Sequence, residues 1–109
     1  MTPLPQATEK FQKHDAGKAR YDLIPAAALD EVAHVLTIGA EKYGADNWRR
    51  GAAWSRYFAA AMRHLWAFWR GEDLDPETGR HHLAHAACCV LILLASARAR
   101  IGTDDRRID

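Results

Sequence analysis

The chain has 109 residues, enough for one domain with a single core, and 49% of them are apolar. A formal charge of +1, with acids and bases nearly matched, excludes a general binder of nucleic acid or of an anionic membrane surface. Residues Met1 to Lys13 lack the apolar segment of a secretory leader and the run Ala86 to Ala95 is too short to cross a bilayer, so the expected location is the cytoplasm.

Residues 1–12, with Pro3 and Pro5 among polar neighbours, read as a mobile arm. Residues 13–24 read as an ordered but irregular lead-in. Here Lys13, Lys18 and Arg20 flank Gly17, a candidate phosphate-binding arm in which glycine permits close backbone approach and the cations meet the anion. A basic solvated loop is the alternative. Pro25 fits the first turn of a helix running to about Lys42 and stopping near Gly44. Leu29, Val32, Ala33, Leu36, Ala40 and Tyr43 make one apolar stripe on it; Ala27, Val35 and Ile38 make a weaker second, into which Glu31 and His34 project. Two apolar sides predict two neighbours.

Residues 44–53 hold turn formers and predict a loop. Within it Asn47-Trp48 is a pair that can hydrogen-bond and stack a base, although it is expected at the far end of the following helix. That helix should span Ser55, its N-cap, to Arg70, with Gly71 past the end. Arg56, Arg63 and Arg70 form a solvated or ion-paired stripe, and His64 reads as a partly buried hydrogen-bonding residue. A third helix, about Arg80 to Arg100, is apolar almost all round beyond His85 and should be the central one, facing a second subunit as well. Cys88 and Cys89 are adjacent, cannot easily bridge each other, and read as reduced, buried small hydrophobes. Residues 101–109 read as a charged tail. One all-α domain over 13–100 is the result, with no repeat and no strand pattern.

The chemistry collects between the second and third helices. Residues 69–85 hold four carboxylates (Glu72, Asp73, Asp75, Glu77) and three histidines (His81, His82, His85). Crowded carboxylates repel one another, and a hard cation among them relieves the repulsion. Antiparallel packing of consecutive helices would bring Glu31, His34 and the lead-in to that same end. Glu72 and Asp75, three apart, are expected to share one Mg²⁺ or Mn²⁺, with Glu31 completing the site. A merely solvated acidic turn is the plain alternative. Zinc on His82, His85 and Cys89 is a rival, but the glutamate of a His-Glu-x-x-His site is absent. Such histidines more often hydrogen-bond carboxylates and orient them, or contact phosphate.

Lys13-His-Asp-Ala-Gly-Lys-Ala-Arg-Tyr-Asp-Leu-Ile-Pro25, Gly39-Ala-Glu-Lys-Tyr-Gly44, Asn47-Trp48, Arg63-His64-Leu65-Trp66, Gly71-Glu-Asp-Leu-Asp-Pro-Glu-Thr-Gly79 and His82-Leu-Ala-His-Ala-Ala87 occur in that order. The series, over about residues 13–97, resembles the bacteriophage dATP/dGTP diphosphohydrolases, the MazZ group of the all-α nucleoside triphosphate pyrophosphohydrolases. The resemblance implies a MazG-like bundle of three main helices per chain, completed as a homodimer or homotetramer. It implies Mg²⁺- or Mn²⁺-dependent cleavage of a purine deoxynucleoside triphosphate, dGTP or dATP, to the monophosphate and pyrophosphate. In phages that replace adenine by 2-aminoadenine, such cleavage lowers dATP and supplies dGMP. On this reading Glu31, Glu72 and Asp75 hold metal, and Lys18, Arg20, His82, His85, Asn47 and Trp48 meet substrate. The broader pattern has Glu-x-x-Glu on one helix and Glu-x-x-Asp on the next. This chain departs from it: no acid lies between Ser55 and Arg70, and Glu72-x-x-Asp75 matches the spacing only in the turn. A non-catalytic or zinc-stabilised helical interaction module is the alternative.

Overall fold

Among the residues that the structure, a computed structural model, describes (2–6 and 10–108), three α-helices carry the fold. They are α1 (Ala26–Tyr43), α2 (Trp54–Trp69) and α3 (His82–Ala99). Short 3-10 turns precede α1 at Tyr21–Leu23 and follow it at Asn47–Arg50. No strand forms among the described residues; two isolated bridges join Ala53 to Thr103 and Leu74 to His81. The expected all-α fold holds. Of the N-terminal arm, residues 2–6 and 10–12 are exposed and irregular, while Met1 and residues 7–9 lie outside the described residues, as does Asp109 of the tail.

Local chemistry sets the ends. Pro25 stands at the N-cap of α1 and its carbonyl accepts from Leu29 N at 3.0 Å. Gly44, with φ near +93°, closes the helix by donating to Ala40 O. The start of α2 is one residue earlier than the Ser55 cap predicts. Ser55 lies inside the helix, and the Asp105 carboxylate caps it from the far end of the chain, accepting Ser55 N at 2.9 Å and the Ser55 hydroxyl. The charged tail is therefore used. Trp54 N donates to Thr103 O and Trp54 Nε1 to Ile101 O, both from the segment that follows α3. That crossing needs Gly102: at φ +85° a β-carbon would sit 2.2 Å from Ala52 O.

The third helix is central, as its composition predicts, with α1 and α2 both packed on it. By length and composition alone α3 is long and apolar enough to cross a membrane, longer than the run Ala86 to Ala95 indicates. Its neighbours instead cover Ala84, Ala86, Cys88 and Ser96. Val32 and Val35 of α1 meet Ala84 and Cys88 in the core, and the Cys88 thiol donates to Val32 O at 3.3 Å. Burial pushes that thiol up to about 11, which keeps it protonated and inert. Both cysteines are free.

The order of helices differs from the expectation in one respect that matters. Val32 lies against Cys88, while Lys42, a few turns on, reaches Glu77 ahead of α3 at 3.3 Å. So α1 runs antiparallel to α3, and its C-terminal end, not its start, meets the acidic turn. α2 is antiparallel to α3 too, since Trp54 meets Ile101 and the short 70–81 connection joins the other ends. The reason is the connector 44–53. It is long enough to run back along α3, against which its 3-10 turn packs, so the two helices it joins are parallel. The two-neighbour expectation for α1 also fails within one chain: Val32 and Val35 are buried, but Leu29, Leu36 and Tyr43 of the stronger stripe are exposed.

Candidate functional site

The turn between α2 and α3 is knitted by its own backbone. Asp75 N donates to Arg80 O at 2.8 Å, Gly79 N to Asp75 O at 2.7 Å, and His82 N to Asp73 O at 2.8 Å. Gly71 N and Glu72 N close α2 onto Phe68 O and Ala67 O. His81 caps α3, its Nδ1 accepting from Leu83 N. These bonds fix Glu72 and Asp75 opposite the first turn of α3, where His82 and His85 project.

Each carboxylate then has its own histidine. Glu72 Oε1 lies 2.6 Å from His82 Nε2, and Asp75 Oδ2 lies 3.3 Å from His85 Nε2. Thr78 ties the second pair together. Its hydroxyl donates to Asp75 Oδ2 at 3.1 Å, and its oxygen accepts from Arg80 N at 3.2 Å and faces His85 Nε2 at 2.7 Å. Burial alone would push the Asp75 carboxyl up. The Glu77 amide, the Thr78 hydroxyl and the nearby imidazoles outweigh it and hold the group below the ordinary aspartate value. Asp75 is therefore ionised near neutral pH. His85 is held below its usual value by burial first, against the pull of Asp75, and stays neutral there.

A further residue joins from α2. His64 Nδ1 lies 2.9 Å from His82 Nδ1, and the His64 ring stacks on His85 at 4.5 Å with 9° between the planes. The sequence marks His64 only as a partly buried hydrogen-bonding residue. The signal that finds it is register: His64 and the 71–79 turn are joined by under two helical turns, on the side of α2 that faces α3.

The other expected site residues are placed elsewhere. Glu31 is exposed beside Val32 and makes no hydrogen bond or ion pair with the described residues; about 16 Å of helix separates it from Lys42 at the acidic end. Placing the start of α1 at that end is thus corrected, and Glu31 is not gathered with Glu72 and Asp75 by contacts within one chain. His34 faces Asp30 on its own helix at 3.5 Å. The lead-in joins the same distant end of α1. Its Arg20 is already paired to Asp22, with Nε to Oδ1 at 3.1 Å and the terminal nitrogen to Oδ2 at 2.6 Å, and Lys18 makes no ion pair among the described residues. Asn47 and Trp48 sit in the 3-10 turn on the flank of α3 rather than at the far end of α2, with the Arg49 guanidinium 4.7 Å over the Trp48 ring. Arg56, Arg63 and Arg70 are exposed, as a solvated stripe should be.

Metal chemistry divides along the same line. Among the described residues no three His, Cys, Asp or Glu side chains surround a common point. Zinc, which needs such a cage, does not fit: His82 spends both ring nitrogens on Glu72 and His64, and His85 spends Nε2 on Thr78. Mg²⁺ has a looser requirement. It is commonly held by one or two carboxylates, waters and substrate phosphates. Glu72, 55% exposed with its second oxygen open, and ionised Asp75 supply that donor set.

A family model described as dATP/dGTP diphosphohydrolase, N-terminal, matches residues 8–106. A dATP/dGTP diphosphohydrolase of Salmonella phage PMBT28 is 42% identical over 95 residues, which is 87% of this chain and 32% of the relative. The chain thus spans about a third of that relative's length. No solved structure matches.

Proposed function

The chain belongs to the dATP/dGTP diphosphohydrolase N-terminal family, and from that premise we propose that it hydrolyses dATP and dGTP to the monophosphate and pyrophosphate. The observation that carries the reading is the pairing of Glu72 with His82 and of Asp75 with His85 at the first turn of α3. A solvated acidic turn has no need of partners, whereas carboxylates that must present oxygens in fixed directions do.

In the proposed reaction a water oxygen bonds to the α-phosphorus, the bond from that phosphorus to the bridging oxygen breaks, and pyrophosphate leaves with the electron pair. The water proton passes to solvent. A nucleoside triphosphate carries close to four negative charges, so Mg²⁺ or Mn²⁺, when bound, would supply charge neutralisation and a more acidic water. Glu72 and Asp75 would hold it, with exposed Glu31 as the third proposed ligand. His82 and His85 would keep the carboxylates in position and stand next to the phosphates. Lys18 and Arg20 would steady the phosphate tail, Arg20 by exchanging Asp22 for substrate. Asn47 and Trp48 would take the purine by hydrogen bonding and stacking. The site of action is the cytoplasm, and in a phage that uses 2-aminoadenine the product dGMP would feed its synthesis.

A homo-oligomer belongs to the same proposal. Leu29 and Leu36 on α1, and Val90, Leu91 and Leu94 on α3, are exposed and apolar, and a second copy would cover them. It would also bring a second α1 and lead-in within reach of the acidic turn. Sedimentation velocity should give a species of at least two chains.

The test of activity is turnover of dATP and dGTP with Mg²⁺ or Mn²⁺, products resolved by chromatography. Deoxynucleoside monophosphate with pyrophosphate is expected. Orthophosphate with the diphosphate would place cleavage at the γ-phosphorus and overturn the reading.

A further inference from the structure

The reaction proposed above makes no use of His64, yet this residue touches both histidines of the site. It approaches from α2, while His82 and His85 belong to α3. Its Nδ1 is 2.9 Å from His82 Nδ1, and its ring lies flat on His85. His82 is the more constrained partner: only 4% of it is exposed, so each of its nitrogens must be satisfied by protein.

Proton bookkeeping then fixes the direction of every bond in the chain. An ionised carboxylate only accepts, so at 2.6 Å from Glu72 Oε1 the His82 Nε2 must carry a hydrogen. In the neutral imidazole the other nitrogen, Nδ1, is then a bare acceptor. Across 2.9 Å two bare nitrogens repel, so His64 Nδ1 must carry the hydrogen and donate it. Had His64 the opposite tautomer, His82 would gain by turning its own Nδ1–H toward His64. Its Nε2 lone pair would then face the Glu72 carboxylate.

We infer that His64 is a positioning residue: by donating from Nδ1 it locks His82 in the tautomer that aims Nε2–H at Glu72. Its face against His85 keeps the ring from rotating out of that bond. The inference rests on the proposed activity for its consequence, but not for the tautomer itself. The chemistry is that of a second histidine acting as orienter for the first, as a carboxylate or carbonyl does elsewhere.

Three variants separate this role from simple filling of space. His64→Phe keeps a flat ring for His85 and removes the hydrogen bond. His64→Asn keeps an N–H donor close to the Nδ1 position. His64→Gln carries its amide farther out, near the Nε2 position. In the full metal-free chain, ¹⁵N and ¹³C imidazole signals of His82 should report the Nε2–H tautomer in wild type and in His64→Asn. In His64→Phe and His64→Gln they should report a mixture. Circular dichroism, unchanged across the set, shows that each variant folds. In turnover, kcat should fall about 10- to 100-fold in His64→Phe with KM changed little, and His64→Asn should recover most of it. A His82 signal that is the same in wild type and His64→Phe overturns the inference. So does a kcat in His64→Phe equal to wild type. A wild-type chain inactive on dATP and dGTP would defeat the proposed function instead, leaving the tautomer measurement to decide on His64.

Discussion

The acidic turn and the lead-in are similar on paper and opposite in structure. Both are short, polar, glycine-containing segments beside the start of a helix. Residues 71–81 bond to themselves through three backbone contacts, and their carboxylates reach across to α3. Residues 13–24 bond only locally, through Lys18 N to Asp15 O and the Tyr21–Leu23 turn, and are exposed throughout. One segment is built to hold groups still. The other presents cations that wait for an anion, with Arg20 occupied meanwhile by Asp22. The difference teaches that reacting groups and recruiting groups need different degrees of order: positions must be fixed before reaction, whereas long-range attraction tolerates freedom.

The strongest way to break that contrast is Asp75→Asn. The amide keeps the size of the carboxylate and can still accept from Thr78, but it loses the charge and so the cation. Turnover of dATP or dGTP should drop roughly a hundredfold or more, as for other pre-aimed electrostatic groups. Helical circular dichroism should be retained. Turnover near the wild-type rate would mean that the ordered turn is structural only. The lead-in should respond differently. Replacing Lys18 and Arg20 together by Ala should raise KM about tenfold, the loss of one charge-assisted contact, with kcat within about twofold. The melting temperature should move by no more than about a degree or two, because neither side chain is buried. A fall in kcat without a change in KM would show that the lead-in orders reacting groups after all. Next in size is Thr78→Val, which removes one hydroxyl that serves Asp75, His85 and the Arg80 amide. It should cost about 1–2 kcal/mol of stability and lower the melting temperature by roughly 5 °C.

Much of this was legible in the residues, and the failures have physical causes. Gly44, Gly71 and the apolar periodicity place all three helices within two residues of their ends. The composition of α3 identifies the central helix, because an element that is apolar all round must be covered on more than one side. The tendency of histidines to orient carboxylates gives His82 and His85 their roles. What failed was pairing at a distance. Ser55 reads as a cap until Asp105 arrives from fifty residues away, a contact that no local pattern encodes. The direction of α1 depends on whether residues 44–53 turn back or run on, and turn formers permit both. With that direction wrong, Glu31 and the lead-in were put at the acidic end, where Lys42 stands instead. His64 escaped because its importance lies in two rings on another helix.

The smallest expected effect is also the one that reads the imidazole cluster most directly. Burial first, and then the neighbouring His85 and His82, hold His64 below the ordinary histidine value near 6.5; burial, with His82 adding to it, does the same for His85. A histidine whose value is lowered on folding binds its proton more weakly in the native state than in the unfolded one. Its contribution is therefore intact well above 6.5 and is lost as pH falls through and below that value. Asp75, also lowered, adds a loss with the same sign, but only in the more acidic carboxylate range. The melting temperature should accordingly be flat from about pH 8 to 7 and decline toward about pH 5, before carboxylates titrate. His64→Phe should flatten part of that slope, because one of the two imidazoles that resist protonation is gone, while the Lys18 and Arg20 double variant should leave it unchanged. A melting temperature that rises on acidification would mean the cluster gains a proton on folding. The carboxylates would then govern the rings, and the order of the acidic turn would come from ion pairs rather than from neutral, directed hydrogen bonds.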